Sequence, residues 1–274
     1  MPAGSTIALV RLFARSCPRP QRSGHRAEIS ASYRFQFSAR FCGATEQEFA
    51  VDHIPETGFL HISDLALRLG LDVHSASDFL DHWSDLSLDH KYKHYTQRYR
   101  RVLRYWLTSD GDLERRNDTI IVPRVKREIE GSDRLNQVET VHDSFVENAI
   151  FQAILLHDLA MVPVSQSKRE VDIHLFRVQA TDNKASPTTS GIHQDGAELV
   201  FMHFIGACNA QPVWSRIYPD KNANPIWEAV LGRFLETLIV DDTSVYHQAD
   251  AVQTLDPGRP AYRDMLIVTV HPAL

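Results

Sequence analysis

The carboxy-terminal half of the chain carries short apolar segments separated by turn residues, a pattern typical of β-strands. Residues 199–205 form an almost continuous apolar run, as expected of a strand that is buried on both faces. Residues 171–178 instead mix alternation with an apolar end. The pattern predicts strands over residues 171–178, 199–205, 213–218, 237–240, 244–247 and 265–270.

Helical spacing of apolar residues is confined to four segments. Ser144 and Glu147 form a capping-box pattern before the longest of them, which we expect to pack its apolar stripe on the outside of a sheet. Asn224 and Pro225 supply a cap and a first-turn proline for another. The predicted helices cover residues 63–70, 75–86, 144–160 and 224–234.

Many short strands after one long helix indicate a jelly roll, a cupin-like barrel with helices on one side. We therefore expect an α+β, mainly β fold with a double-stranded β-helix core and flanking helices. Residues 1–32 are expected to be a tail and residues 33–274 a single domain. Within it, residues 33–143 would form a mixed helical and strand part and residues 144–274 the jelly-roll core. Ligand sites favour the mouths of such barrels.

Composition narrows the classes of function. The chain has 274 residues, 43% of them apolar, which is ample for a buried core. Its net charge of −6 gives no electrostatic reason to bind nucleic acid or an anionic membrane. The three cysteines show no paired spacing and are interpreted as reduced thiols of a cytoplasmic protein. We expect a small-molecule substrate, no nucleic-acid or membrane partner, and an oligomeric state that the sequence leaves open, a homodimer included.

The amino terminus differs from the rest of the chain. The first 27 residues contain five arginines and no acidic residue. An arginine-rich, acid-free start resembles a mitochondrial transit peptide, which makes a mitochondrial location the alternative to the cytoplasm. An ordinary tail and a start codon placed too far upstream are the other interpretations.

Residues 91–105 form a basic, tyrosine-rich run. Cations interleaved with aromatic rings are typical of surfaces that bind single-stranded nucleic acid. Acidic residues such as Asp89 and Asp110 flank the run closely, however. We therefore interpret it as a solvated strand pair or as a structural network of ion pairs.

A histidine and a carboxylate stand two residues apart at His193 and Asp195, just before the apolar strand at residues 199–205. In an extended segment such residues point to the same side, so both can reach one metal ion. His247, at the end of a separate short strand, is a candidate third ligand. Two imidazoles and one carboxylate are the ligand set of non-heme Fe(II) oxygenases, but zinc accepts the same ligands.

Arg263 begins the last predicted strand, where a guanidinium group is costly to bury unless it meets an anion. One interpretation is a salt bridge to Asp264 or to the pair Asp241 and Asp242. The other is a clamp for a bound dicarboxylic acid. The remaining histidines of the strands are interpreted as core or barrel-lining residues (His174, His203) and as an exposed tail residue (His271).

Three blocks along the carboxy-terminal half resemble one enzyme family. The first contains His193, Asp195 and Gly196, the second ends at His247, and the third begins at Tyr262. In this order they resemble the bacterial 2OG-Fe dioxygenase family that contains L-isoleucine 4-hydroxylase and related free amino acid hydroxylases. The resemblance covers roughly residues 170–270, with weaker similarity around residues 83–105.

The resemblance implies that His193, Asp195 and His247 bind Fe(II) and that Arg263 holds the distal carboxylate of 2-oxoglutarate. With O2 as the second co-substrate, the implied reaction is hydroxylation of a free L-amino acid or similar small molecule, with succinate and CO2 as co-products. Neither the amino acid nor the carbon attacked is indicated, and sulfoxidation is another oxidative outcome. Arg177 and Glu198 are candidate anchors for the substrate carboxylate and ammonium, with a structural ion pair as the alternative for each.

The chain departs from the family at two places. Ser190 stands where members often carry an acidic residue, and residues 209–214 replace a turn that contains two glycines. Both changes leave the ligand set intact and bear on the substrate pocket, which loops at the barrel mouth shape. Two rival functions remain open. One is a zinc-dependent hydrolase with the same ligands, which would leave Arg263 without a role, and the other is a non-catalytic cupin-like binding protein.

Overall fold

The computed structural model describes residues 34–35, 52–90, 97–118, 120–121, 136–181, 184–187 and 191–273. The predicted tail over residues 1–32, Ser190 and the first part of the basic run lie outside these ranges. In the part of the chain that is described, no helix has the length and apolar character needed to cross a membrane.

The described residues are mainly β, as predicted. The strands, in chain order, are β1 (Arg34–Phe35), β2 (Phe59–Ile62), β3 (Ser87–Leu88), β4 (Gln97–Leu107), β5 (Leu113–Arg116), β6 (Ile120–Ile121), β7 (Asn136–Gln137), β8 (Arg169–Ala180), β9 (Leu199–Cys208), β10 (Trp214–Tyr218), β11 (Trp227–Val230), β12 (Thr237–Asp241), β13 (Tyr246–Ala249) and β14 (Ala261–Pro272). The helices are α1 (Leu65–Arg68), α2 (Ser77–Leu80), α3 (Asp143–Val146) and α4 (Ala149–Ala160), with 3-10 turns at Val73–Ser75 and Asp81–Asp85. All six predicted strand segments are confirmed, with shifted ends.

The described strands form three antiparallel sheets, of which β6 and β7 make one and the two larger ones face each other. The larger sheet has the strand order β1-β5-β4-β8-β14-β9-β12-β2, with β3 paired to β4, and the smaller has the order β11-β10-β13. The strands at residues 97–107 and 113–116 thus extend the same sheet as those of the carboxy-terminal half. Two facing antiparallel sheets are consistent with a jelly-roll-like fold.

Alternation along β8 divides its side chains between two apolar cores. Ile173 and Leu175 lie in an outer core with residues of α4 such as Ile154. Phe176 and Val178 lie in an inner core between the two sheets. The long helix therefore packs on the outside of the sheet, as predicted, and each of these buried side chains contributes roughly 1.5–3 kcal/mol relative to an exposed one.

The predicted helix over residues 144–160 is two helices. The side chain of Asn148 accepts hydrogen bonds from the backbone N–H groups of Ile150 and Phe151, at 2.9 and 3.4 Å, and so starts α4 after a break. The capping-box interpretation of Ser144 is wrong, because α3 begins after His142 and has no side-chain cap. An asparagine that satisfies the free N–H groups of a first turn is enough to restart a helix.

The predicted helix over residues 224–234 is wrong. Residues Trp227–Val230 form β11, which pairs antiparallel with β10. The Trp227 ring packs on the rings of Phe59 and His61, with centroids 5.7 and 5.1 Å apart. Ile226, which a helix would have buried, is 49% exposed. The neighbouring strand supplies hydrogen-bond partners for the backbone, and this tertiary pairing overrides the helical spacing of the apolar residues.

Ion pairs line the described part of the basic run, in agreement with its structural interpretation. The strand β4 carries arginines that pair with carboxylates of other segments, two of which, those of Asp89 and Asp172, are buried. The pairs are Arg98–Asp89, Arg101–Asp85 and Arg104–Asp172, at 2.8, 3.2 and 2.8 Å.

His203 is a satisfied core histidine, as predicted. Its ring nitrogens lie 2.9 Å from the Thr237 hydroxyl and 2.9 Å from a carboxylate oxygen of Asp158, and His203 and Asp158 are fully buried. Because Asp158 belongs to α4 and the other two residues to the sheet, this group ties the helix to the sheet.

Candidate metal centre

His193 and His247 lie directly opposite each other in an isolated antiparallel bridge. The bridge joins β13 to residues 193–195, called here the HxD segment. The backbone N–H of each donates to the carbonyl of the other, at 3.0 and 2.9 Å. Residues opposite each other in an antiparallel pair project to the same face, and the two imidazole centroids are 4.4 Å apart. Backbone pairing therefore brings together two histidines that are distant in the sequence.

Asp195 completes the group. One of its oxygens lies 3.6 Å from Nε2 of His193 and the other 3.4 Å from Nε2 of His247, and the three ligand atoms all lie within 4.8 Å of one another. These separations exceed the roughly 2.7–2.9 Å of a charge-assisted hydrogen bond, and they suit a cation held about 2 Å from each atom. Among the residues that the structure describes, this is the group that could hold a metal ion.

The electrostatics of the group favour a cation. Burial lowers the pKa of His247, but the carboxylates of Asp195 and Asp242 outweigh burial and raise that pKa to about 9. A raised imidazole pKa reports a negative potential, which a bound metal ion would neutralise in place of the proton. His193 and His247 are 5% and 6% exposed, whereas Asp195 is only partly buried, so ligands can approach on the carboxylate side.

The tautomer of His193 is set by its neighbour. Its Nδ1 lies 2.8 Å from the carbonyl oxygen of Gly191, which can only accept a hydrogen bond. Nδ1 therefore carries the proton, and Nε2 presents its lone pair toward Asp195. Metal-binding histidines commonly use one ring nitrogen in this way to orient the other.

Arg263 is buried between the sheets without a carboxylate partner among the described residues. It is 6% exposed, its Nε has no hydrogen-bond partner, and its Nη2 makes only a long contact of 3.5 Å to the Ser215 hydroxyl. Burial lowers the pKa of this guanidinium group to about 10. The salt-bridge interpretation is wrong, because Asp264 pairs with Arg177 and Asp242 accepts backbone N–H groups. An unpaired buried cation fits an anionic ligand.

Arg263 also faces the space beside the metal group. Ser215, its contact on β10, pairs with Ala249 of β13, two residues from His247. Two residues along one strand share a face and lie roughly 7 Å apart. A dicarboxylic acid that reaches from the metal group to Arg263 would therefore lie in the space between the sheets.

Arg177 and Glu198 are both engaged in structural ion pairs, the alternative that the sequence left open. Nε and Nη2 of Arg177 each lie 2.7 Å from an oxygen of Asp264, and the pattern along β8 directs this side chain to the outer face, away from the metal group. Glu198 lies 2.7 Å from Nε of Arg169. The structure does not support either residue as a substrate anchor.

Two residues beside the metal group were missed in the sequence. His271 is buried rather than exposed, with Nδ1 3.2 Å from the Gly196 carbonyl oxygen. The available signal was alternation: His271 lies an even number of residues after Arg263 on the same strand, so both side chains share the inner face. Asp242 contacts both the HxD segment and His247. The signal for Asp242 was an aspartate pair at the turn just before the short strand that carries His247.

Comparisons with known proteins agree with this arrangement. A family model described as 2OG-Fe dioxygenase matches residues 80–269. Among solved structures, a bsmA homologue from Methylobium petroleophilum PM1 is similar at 22% identity and a TM-score of 0.69, over 80% of this chain and 90% of that one. IDO from Bacillus thuringiensis is similar at 21% identity and a TM-score of 0.65, over 79% and 91%. The Fe(II)/α-ketoglutarate-dependent dioxygenase TqaL is similar at 18% identity and a TM-score of 0.60, over 79% and 83%.

At these identities the likeness to solved structures shows the fold alone. Comparison with the sequences of curated proteins gave no match.

Proposed function

The chain belongs to the 2OG-Fe dioxygenase family, and from that premise we propose that it oxidises a free L-amino acid or similar small molecule, most simply by hydroxylation. The family implies an enzyme that uses Fe(II), 2-oxoglutarate and O2. The observation that carries the proposal is the His193, Asp195 and His247 group together with a buried arginine that has no carboxylate partner among the described residues.

The residues present fit both groups that the reaction needs. His193, Asp195 and His247 would hold Fe(II), since two imidazoles and one carboxylate are the ligand set of non-heme Fe(II) oxygenases. Fe(II) and 2-oxoglutarate held there would supply the oxidising chemistry with O2 as the oxidant: one oxygen atom of O2 would enter succinate as 2-oxoglutarate loses CO2, and the other would enter a substrate C–H bond. Arg263 would bind the distal carboxylate of 2-oxoglutarate. Arg263 is buried beside the inner core, where the low dielectric strengthens the interaction between its guanidinium group and an anion.

An amino acid zwitterion needs groups of both charges, and arginines on β4 together with Asp89, which follows β3, supply them. Arg98 and Arg100 lie opposite inner-core residues of β8 and contact the buried carboxylate of Asp89, at 2.8 and 2.9 Å. Arg98 also donates to the carbonyl of Pro187, in the segment that leads to His193. These arginines are paired as Arg177 is, but they lie on the inner side of the sheet whereas Arg177 faces outward. We propose this charged cluster, in place of Arg177 and Glu198, as the region that anchors the substrate.

The test is an aerobic assay with Fe(II), ascorbate, 2-oxoglutarate and a panel of free amino acids. We expect one or more amino acids to raise succinate production above the substrate-free background and to gain the mass of one oxygen atom. His193→Ala should abolish both signals. If no amino acid does so while 2-oxoglutarate is still consumed, the enzyme class stands and the amino acid substrate is wrong.

The rival functions predict different results in spectroscopic and turnover assays of the same protein. A 2-oxoglutarate-dependent enzyme shows a weak visible band when Fe(II) and 2-oxoglutarate are added without oxygen, and a metal-free binding protein does not. A zinc hydrolase would turn over its substrate with Zn(II) and consume no 2-oxoglutarate.

A further inference from the structure

Asp242 lies between the two segments that supply the metal-binding side chains. It directly follows β12 and is 2% exposed. Its Oδ2 accepts hydrogen bonds from three consecutive backbone N–H groups, those of Asp195, Gly196 and Ala197, at 2.8, 2.8 and 3.0 Å. Consecutive N–H groups that converge in this way normally form a concave site for an external anion. Here the protein's own carboxylate occupies that site and holds the HxD segment in place.

The other oxygen of Asp242 faces the third member of the metal group. Oδ1 lies 3.4 Å from Nδ1 of His247. Both atoms are buried, and neither has another hydrogen-bond partner among the described residues. A carboxylate oxygen can only accept, so this contact favours the tautomer in which Nδ1 of His247 carries the proton. The lone pair is then on Nε2, the atom that points at Asp195.

We propose that Asp242 is a positioning residue that prepares both sides of the metal centre, by fixing the HxD segment with one oxygen and the tautomer of His247 with the other. This inference rests on the proposed Fe(II) site. It assigns Asp242 no contact with substrate or metal. Partners that orient metal-binding histidines typically contribute 10–100-fold to metal affinity.

Asp242→Asn separates the two roles because it preserves the shape of the side chain. The amide oxygen should stay toward the three backbone N–H groups, since the amide NH2 there would face three donors. The NH2 group must then face Nδ1 of His247 and donate to it. His247 is driven to carry its proton on Nε2, the nitrogen that the metal requires.

The neighbouring residue provides a matched control. The carboxylate of Asp241 accepts from the backbone and hydroxyl of Thr243, at 3.0 and 2.6 Å, and from the hydroxyl of Ser244 at 2.7 Å. It therefore stabilises only its own turn. Asp241→Asn makes the same chemical change one residue away. Because Asp241 does not touch the metal group, the metal affinity of this variant should remain within about twofold to threefold of wild type.

The experiment titrates the metal-free full-length proteins with Fe(II) under anaerobic conditions, and with Co(II) as an air-stable probe. We expect Asp242→Asn to bind either metal about 10–100-fold more weakly than wild type. Wild-type affinity in Asp242→Asn would overturn the proposal, as would an equal loss in Asp241→Asn, which would assign the effect to the turn.

A second measurement reads the tautomer directly. Nitrogen-15 NMR of the metal-free protein, under alkaline conditions in which imidazole is neutral, should show the His247 proton on Nδ1 in wild type and on Nε2 in Asp242→Asn. A wild-type His247 with its proton on Nε2 would overturn the proposal without any variant. If wild type binds neither metal, the proposed iron site fails, and the tautomer still decides the role of Asp242.

Discussion

Replacement of Arg263 by methionine should change stability and ligand affinity in opposite directions. Burial lowers the pKa of Arg263 from 12.5 to about 10. Since one pKa unit corresponds to about 1.4 kcal/mol, burial disfavours the charged guanidinium group by about 3 kcal/mol before any anion binds. Arg263→Met removes that charge and keeps an apolar side chain beside the Phe204 ring. We expect the ligand-free variant to be as stable as wild type or more stable, by up to about 3 kcal/mol.

The affinity for 2-oxoglutarate should fall at the same position. Truncation of one partner of a buried charge pair costs about 2–5 kcal/mol, which corresponds to a loss of roughly 30-fold or more. Urea unfolding of the metal-free protein measures the first effect. The visible band of the anaerobic Fe(II) protein, followed during titration with 2-oxoglutarate, measures the second.

Arg177→Met is the matched control, because Arg177 is an arginine on the adjacent strand that already has a partner. Its removal leaves the buried carboxylate of Asp264 unpaired and should lower the free energy of unfolding by about 1–3 kcal/mol. Its affinity for 2-oxoglutarate should remain that of wild type. An Arg263→Met protein that loses several kcal/mol of stability without ligand and binds 2-oxoglutarate as wild type does would rule out this role for Arg263.

Substitutions of Asn148, His174 and Asp195 should each change the stability of the protein in a defined way. Asn148→Ala should lower the free energy of unfolding by about 0.5–2 kcal/mol, measured in urea, with the affinity for 2-oxoglutarate unchanged; an unchanged midpoint would contradict its role as the α4 cap. Burial, followed by the charge of Arg100, lowers the pKa of His174 to about 3. Unfolded chains therefore take up a proton that the folded state does not, and stability falls as pH drops below about 6.5. Between about pH 7 and pH 5.5, His174→Gln should lose about 1 kcal/mol less stability than wild type, whereas the exposed control His74→Gln should follow wild type. Co(II) at about a hundred times its dissociation constant should raise the unfolding free energy by about 2.7 kcal/mol in wild type and not in Asp195→Ala; equal stabilisation of both would place the metal elsewhere.

Local pattern was sufficient for four strands of the larger sheet, β8, β9, β12 and β14. The apolar runs within β8, β9 and β14 are each shorter than a typical buried helix, and their length favours extended chain. The hydrophobic pattern wrongly predicted a helix where β11 forms, because apolar residues at this spacing also suit a strand followed by a turn. The choice between the two depends on β10 and on the rings that cover Trp227, and neither is visible in the segment itself.

The metal group was partly predictable. The spacing of His193 and Asp195 places both side chains on one side of the chain whatever the fold around them. His247 was a candidate from its place on a short strand and was assigned to the site by the resemblance of three ordered blocks. The geometric reason for its position is a backbone bridge between distant segments. Asp242 was not predicted, since its contacts converge from two segments that meet only after folding.

Arg177 and Arg263 show which part of the structure follows from sequence alone and which part requires the tertiary fold. By itself the sequence determined that Arg177 and Arg263 enter strands, that Asp264 adjoins one of them, and that a buried guanidinium group needs an anion. Only the cross-strand register decided which arginine pairs. It sets Asp264 opposite Arg177 and Arg263 opposite Val178. Because side chains alternate between the faces of a strand, that register gives the outer arginine its carboxylate and directs the other to the inner face, between the sheets.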